Sequence, residues 1–233
     1  MNIALILSGG TGSRMGLDTP KQYIKVNNKL LITYCLDTLI NHADIDYLQI
    51  VCDSNWQETI LADLAEHSIP TVKIIGFSTP GKNRQLSILN GLYDIKDYLA
   101  ANPIDPIILI HDAARPNLTA ENVSDYLEAI NDHDGLMPVL PMKDTVYLSE
   151  DGQSVSSLLD RSKIYAGQAP ELYRLTKYLE ANESLLPDKI LAINGSTEPA
   201  IMAGLDVAIV PGNENNYKIT TTTDLEKFKA CIS

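Results

Sequence analysis

Short apolar runs alternate with helical stretches through the first half of this chain, and that alternation restricts the fold more than any other feature. Ile3–Leu7, Leu48–Cys52, Val72–Ile75 and Ile107–Ile110 are brief and apolar, the pattern of parallel strands buried on both faces. Between and after them, Leu30–Ile40, Trp56–His67, Arg84–Leu99 and Glu121–Asn131 carry apolar residues at helical spacing, and Thr119 stands where it can cap the last. Four such units predict an α/β fold with a mainly parallel sheet covered by helices on both faces. Ligands of such sheets sit beyond the carboxyl ends of the strands.

The pattern changes after Gly135. Met137–Tyr147 alternates loosely, and Glu150-Asp151-Gly152-Gln153 supplies an Asp-Gly turn before Val155–Leu159, which predicts a protruding β-hairpin arm at about residues 138–165. Tyr173–Asn182 reads as helix, Val207–Val210 as strand, and Thr223–Ala230 as a final helix capped by Thr222 or Thr223. With 233 residues, no internal repeat and no low-complexity segment, residues 1–233 are expected to form a single domain.

Eighteen basic against thirty acidic residues leave a formal charge of -12, which argues against broad nucleic-acid or anionic-membrane surfaces and requires any polyanion to bind in a locally basic pocket. Cys35, Cys52 and Cys231 are odd in number and widely spaced without a metal-binding pattern, as expected of reduced thiols in a cytoplasmic protein. Ile3–Leu7 has no basic stretch before it and is too short for a signal peptide or a membrane span, so the chain is expected to begin directly in a strand.

The first apolar run ends in Ser8-Gly9-Gly10-Thr11-Gly12-Ser13-Arg14-Met15-Gly16. Glycines there let the backbone approach a ligand closely, with successive N–H groups aimed at phosphate oxygens, and Arg14 and Lys21 add cations nearby. By itself such a loop fits a plain structural turn as well as a phosphate cradle. The dinucleotide fingerprint GxGxxG does not match, because Gly10-x-Gly12-x-x-x-Gly16 is one residue too long, and the GxxxxGK[ST] phosphate loop is absent. This removes a main requirement of a nicotinamide-dependent oxidoreductase; a nucleotide-binding protein without catalysis remains the other alternative.

Four segments taken together narrow the choice. Leu7–Gly16, Pro20-Lys21-Gln22-Tyr23, His111-Asp112-Ala113-Ala114-Arg115-Pro116 and Asn216-Tyr217-Lys218-Ile219-Thr220, in that order, resemble the family of methylerythritol-phosphate and ribitol-5-phosphate cytidylyltransferases. The resemblance spans almost the whole chain. It implies a Rossmann-like nucleotidyltransferase fold and a homodimer in which the arm of one subunit helps complete the other's site. It implies CTP contacts from Leu7, Ser8, Gly9, Gly10 and Gly12, from Gly81, Arg84 and Ser87 in a Gly-x-x-Arg-x-x-Ser loop, and from Asp112 and Ala113. Arg14 and Lys21 are expected to stabilise the transition state, while Arg161 and Lys218 position the acceptor phosphate; Arg115, Asp144, Thr145 and Asn194 complete the acceptor pocket.

The implied chemistry is in-line attack by a phosphate monoester on the α-phosphorus of CTP, with pyrophosphate leaving. A monoester with its second pKa near ~6 is already largely dianionic at neutral pH, so no general base is required and the demand is for cations. Mg2+ is the expected cofactor because it bridges triphosphate oxygens without an all-protein cage, and Asp112 is the expected protein contributor, its alternative role being to cap a strand end. His111 is expected to orient its loop rather than to react.

Departures from the family pattern fall in the acceptor pocket. Ala169-Pro170-Glu171 stands where methylerythritol-type enzymes carry Thr-Pro-Gln, Ile193–Pro199 replaces a Thr-Asp segment, and Tyr165-Ala166-Gly167-Gln168 is closer to the ribitol-phosphate branch. A pocket built around particular hydroxyls rejects acceptors that leave its polar groups unpaired, so these changes bear on specificity. Ribitol 5-phosphate is the expected acceptor and 2-C-methyl-D-erythritol 4-phosphate the runner-up.

Overall fold

The computed structural model describes residues 1–10, 19–101 and 104–232. Arg14 and Gly12, assigned above to the nucleotide, lie outside these. In chain order the first half contains β1 (Asn2–Leu7), β2 (Lys25–Val26), β3 (Lys29–Leu30), α1 (Leu31–Asn41), β4 (Tyr47–Val51), α2 (Gln57–Glu66), β5 (Ile74–Ser78), α3 (Arg84–Tyr98) and β6 (Ile107–Asp112). The second half contains α4 (Ala120–Ala129), β7 (Gly135–Pro141), β8 (Val146–Leu148), β9 (Ser157–Leu159), β10 (Tyr165–Gly167), β11 (Glu171–Arg174), α5 (Leu175–Glu183), α6 (Glu198–Met202), β12 (Val207–Pro211) and α7 (Thr222–Cys231).

The main sheet runs β10-β7-β11-β6-β1-β4-β5, with β12 also on β7. Its β6-β1-β4-β5 half is parallel, as the alternating pattern predicts. Ala4 and Ile6 pack with Leu36, Leu64 and Val123 on the face that carries α1, α2 and α4, while Ile3 and Leu5 pack with Ile88, Leu92 and Tyr178 on the face of α3 and α5. Period-two alternation therefore buries both sides of β1, which is why its sequence is an unbroken apolar run.

Several boundaries differ from the sequence expectation. The third strand is Ile74–Ser78 rather than Val72–Ile75: Ile74 N donates to Thr71 O, closing a turn in which Val72 is 84% exposed, and pairing with β4 then continues to Ser78. Tyr173 and Arg174, expected in a helix, belong to β11, which inserts antiparallel between β6 and β7; the helix starts at Leu175. A single amphipathic helix across 173–182 would have left the gap between β6 and β7 unfilled. Gly135–Pro141 is not part of the arm but a strand of the main sheet, paired with β11 and then β10 along one edge and with β12 along the other. The protruding hairpin is the β8–β9 pair. The last helix is capped by Thr221 rather than Thr222 or Thr223, because the Thr221 hydroxyl accepts from Asp224 N while the Asp224 carboxylate accepts from Thr221 N. Thr119 caps α4 as expected, accepting from Asn122 N.

Candidate active site

Four loops leave the parallel half of the sheet at its carboxyl edge, and backbone hydrogen bonds tie their starts together. Ser8 N donates to Val51 O at 2.8 Å, Cys52 N to Ser78 O at 3.1 Å and Ala113 N to Leu7 O at 3.0 Å. The loop after β1 approaches the loop after β5 so closely that a Cβ on Gly9 would stand 2.6 Å from Pro80 Cβ; only glycine fits there. At Gly81 a Cβ would meet Leu86 Cβ at 2.4 Å, and the Gly81 N–H donates to Ser87 Oγ. These contacts place the expected Leu7–Gly10 and Gly81–Ser87 segments side by side.

The Pro20–Tyr23 motif holds the start of the glycine-rich loop. Gln22 Nε2 donates to Ser8 O at 2.7 Å and to Gly10 O at 2.6 Å. The Ser8 hydroxyl donates to the Tyr23 hydroxyl, which donates back to Ser8 O. Tyr23 in turn stacks on Trp56 with ring centroids 4.1 Å apart. Lys21 opens this short 3-10 turn, one residue from Gln22, and is thereby kept beside the loop.

The fourth motif reaches the third by an equally specific route. Ile219 N donates to Ala114 O, Arg115 Nη1 donates to Asn216 O at 2.7 Å, and Asn216 Nδ2 donates to Ala169 O at 2.8 Å. Residues 112–115, 169 and 216–219 thus form one knot. Within it Lys218 Nζ lies 3.0 Å from Asp112 Oδ2, Arg115 Nε 3.5 Å from the same oxygen, and Arg84 Nη2 3.2 Å from Asp112 Oδ1. Burial would push the Asp112 carboxyl up, but Arg84, Lys218 and Arg115 together hold it well below the usual carboxylate range. His111, fully buried, is pushed down to about 4 by desolvation and hydrogen-bonds Arg115 O through Nε2 at 3.0 Å. It is a neutral loop-orienting residue, in line with expectation.

One carboxylate that sequence reasoning left without a role joins the cluster. Glu171, buried at the start of β11, accepts from Ser196 Oγ at 2.6 Å through Oε1 and points Oε2 at Arg84 Nη2, 3.8 Å away. Burial raises its pKa against the pull of Arg84. The available signal was a single acidic residue between Pro170 and the apolar Leu172-Tyr173. Gln22 and Tyr23 were likewise visible as a motif, but their grip on the loop carbonyls was not.

Other expected residues stand apart from the cluster. Asp144, Thr145 and Arg161 are exposed at the base of the arm, where Arg161 Nη1 donates to Lys143 O at 2.7 Å and Lys143 pairs with Glu214. Asn194 is exposed in a turn, its N–H donating to Glu198 Oε2 and its side chain to Ala192 O; Ser196, two residues on, is the member of that stretch that reaches Glu171. Among the described residues no three His, Cys, Asp or Glu side chains group as a metal cage.

A loop edge lined by Arg84, Arg115 and Lys218 around one carboxylate suits a polyanionic ligand such as a nucleoside triphosphate. Comparison with known proteins agrees along the entire length. A "Ribitol-5-phosphate cytidylyltransferase" of Vibrio parahaemolyticus is 32% identical over 233 residues, covering 100% of this chain and 96% of its own, and one of Streptococcus agalactiae is 31% identical over 99% of this chain and 94% of its own. The fold matches a 2-C-methyl-D-erythritol 4-phosphate cytidylyltransferase structure from Francisella tularensis with a TM-score of 0.80 at 24% identity, covering 98% of both chains. Residues 2–233 fit the model of the family described as "IspD: 2-C-methyl-D-erythritol 4-phosphate cytidylyltransferase". The knot that brings Lys218 onto Asp112 is the candidate site of a chain matched by the family's model from end to end, and this chain belongs to the IspD family of cytidylyltransferases.

Proposed function

We propose that the protein joins ribitol 5-phosphate to CTP, forming CDP-ribitol and pyrophosphate. The observation that carries the acceptor is the series of full-length relatives at 28–32% identity that bear the ribitol-5-phosphate name. The monoester oxygen of the acceptor attacks the α-phosphorus of CTP, the bond from that phosphorus to the bridging oxygen breaks, and pyrophosphate departs with the electron pair. Two anions must be brought into line, so the protein's task is positioning and charge compensation. Arg84, Lys218 and Arg115, drawn together on Asp112, are the cations that phosphate oxygens recruit, while Lys21 and Arg14 serve the triphosphate at the glycine-rich loop.

The donor set suits magnesium only in the form in which that ion usually meets nucleotides. Asp112 offers one carboxylate already facing three cations, so Mg2+ would be held mainly by triphosphate oxygens and water, with Asp112 as the protein's contribution. When bound, it offsets charge on the triphosphate oxygens.

The arm carries Tyr147, Leu148, Val155 and Leu158 exposed, together with Asp144, Thr145 and Arg161 at its base. A homodimer in which the arm covers these apolar residues and lends the polar ones to the partner's acceptor pocket accounts for both features. Among the described residues no helix is long and apolar enough to cross a membrane, and Cys35, Cys52 and Cys231 are free, in keeping with a cytoplasmic enzyme. The product suits construction of a cell-surface polymer.

Pyrophosphate release by the purified protein with each nucleoside triphosphate, Mg2+ and a panel of phosphorylated polyols tests this reading. Release is expected with CTP and ribitol 5-phosphate; release with methylerythritol phosphate but with no pentitol phosphate overturns the acceptor assignment, and no release with any acceptor overturns the activity. Light scattering on the same preparation should give twice the 25.6 kDa chain mass, and a monomer at assay concentrations removes the shared-arm proposal.

Gln22→Ala removes both side-chain hydrogen bonds to the loop carbonyls while Tyr23 still serves Ser8 O. The loop then has to be ordered by the nucleotide itself, at about 1–2 kcal/mol. The KM for CTP is expected to rise roughly tenfold with little change in kcat, measured by steady-state pyrophosphate release; an unchanged KM means the loop needs no such support.

A further inference from the structure

Glu171 is a buried acidic group beside the site that the transfer chemistry does not use. Its backbone is fixed by pairing with Ile110 in β6, and its Oε1 is held by the buried Ser196 hydroxyl. Ser196 is itself anchored, because Tyr178 donates from its hydroxyl to Ser196 O at 2.5 Å and stacks on Tyr173 with centroids 4.0 Å apart. Gln85, next to Arg84 on α3, donates to the Tyr178 hydroxyl at 3.1 Å. The remaining oxygen, Oε2, is buried without a hydrogen-bond partner among the described residues and lies 3.8 Å from Arg84 Nη2. A carboxylate immobilised in this way acts on Arg84 through charge, and at this distance in a poorly solvated site that attraction is substantial.

The same Nη2 is 3.2 Å from Asp112 Oδ1, so one guanidinium is shared by two carboxylates. Asp112 has two further cations, Lys218 and Arg115, whereas Arg84 is the cation that lies within 4 Å of Glu171 among the described residues. A phosphate that recruits Arg84 competes with both acids for its positive charge.

We propose that Glu171 is a positioning residue that competes with phosphate for Arg84, tempering the site's affinity for CTP and allowing pyrophosphate to leave. This rests on the CTP-dependent activity proposed above. It assigns the Ala169-Pro170-Glu171 departure to the nucleotide side of the site rather than to acceptor selection, since Glu171 touches Arg84 and Ser196 and its free oxygen is closed to solvent.

The sign of the expected effect separates this role from a merely structural one, because damage to a buried residue weakens binding. Glu171→Gln keeps the size and a partner for Ser196 but removes the charge. Calorimetric titration with CTP and with pyrophosphate, in magnesium chloride, is expected to show dissociation constants about tenfold lower than wild type, with correspondingly stronger pyrophosphate inhibition of turnover. In an Arg84→Ala background the same substitution is expected to change binding less than about twofold, because the contested cation is gone. Unchanged or weaker binding by Glu171→Gln, or an equal gain in the Arg84→Ala background, overturns the proposal. Should Glu171→Gln fail to fold, Glu171→Ala, which also removes the charge, decides: pyrophosphate binding is expected to tighten about tenfold, and no tightening there also overturns the proposal. Wild-type protein that binds no CTP contradicts the proposed function instead, so the two failures are read separately.

Discussion

Asp112→Asn is expected to lower the melting temperature of the ligand-free protein by roughly 6–12 °C and to let pyrophosphate recover most of that loss. Asp112 is buried and neutralises three cations at once, Arg84, Arg115 and Lys218. Removing one partner from a buried ionic cluster leaves the others uncompensated, at about 3 kcal/mol, and in a domain of this size each kilocalorie moves the melting point by about 2–4 °C. Arg84 and Lys218 are each about one-third exposed, at 32% and 34%, so water relieves part of the repulsion and the lower half of that range is favoured. Pyrophosphate added without divalent metal replaces the missing negative charge and should raise the melting temperature more in the variant than in the wild type. Differential scanning calorimetry with and without the anion reads both quantities. Equal stability of variant and wild type, or no extra gain from pyrophosphate, would mean that the three cations are not held together by Asp112.

Lys21→Ala is expected to lower kcat by roughly 30- to 900-fold while the dissociation constant for CTP moves only a few-fold. Lys21 opens the 3-10 turn whose next residue, Gln22, grips Ser8 and Gly10, so its backbone is positioned by the same contacts that hold Ser8–Gly10. A cation fixed in advance where charge grows on departing pyrophosphate stabilises the transition state more than the bound substrate, and losing such a group costs about 2–4 kcal/mol of barrier. Single-turnover kinetics alongside CTP titration separates the two effects. Full turnover by Lys21→Ala would remove the transition-state role, whereas a loss confined to CTP affinity would make Lys21 a binding residue only.

The legible and illegible parts of the site follow from how information is distributed along the chain. Glycine-rich turns, Pro20–Tyr23, His111–Pro116 and Asn216–Thr220 are local signals, each carried by a few consecutive residues, and the structure gathers all four at one edge of the sheet. The insertion of β11 between β6 and β7 was hidden because Glu171–Arg174 is four residues long and runs directly into α5, so its short strand merges with the helical periodicity that follows. Glu171 and Ser196 are 25 residues apart and meet only because β11 places one beside the turn that presents the other. Asn194, two residues before Ser196, is exposed and makes its hydrogen bonds within its own turn, a pairing that residue order does not display.

What the sequence alone determined is the alternating α/β plan, the parallel half of the sheet and the identity of the loops at its carboxyl edge, because apolar period and turn chemistry are properties of neighbouring residues. Tertiary structure alone decided which charges compete. Arg84 between Asp112 and Glu171, Lys218 and Arg115 on one carboxylate oxygen, and Gln22 bridging Ser8 and Gly10 each depend on a hydrogen-bond or ion-pair distance between segments brought together by the sheet. Electrostatic energies change steeply over such distances and with burial, and neither quantity is written in the order of the residues.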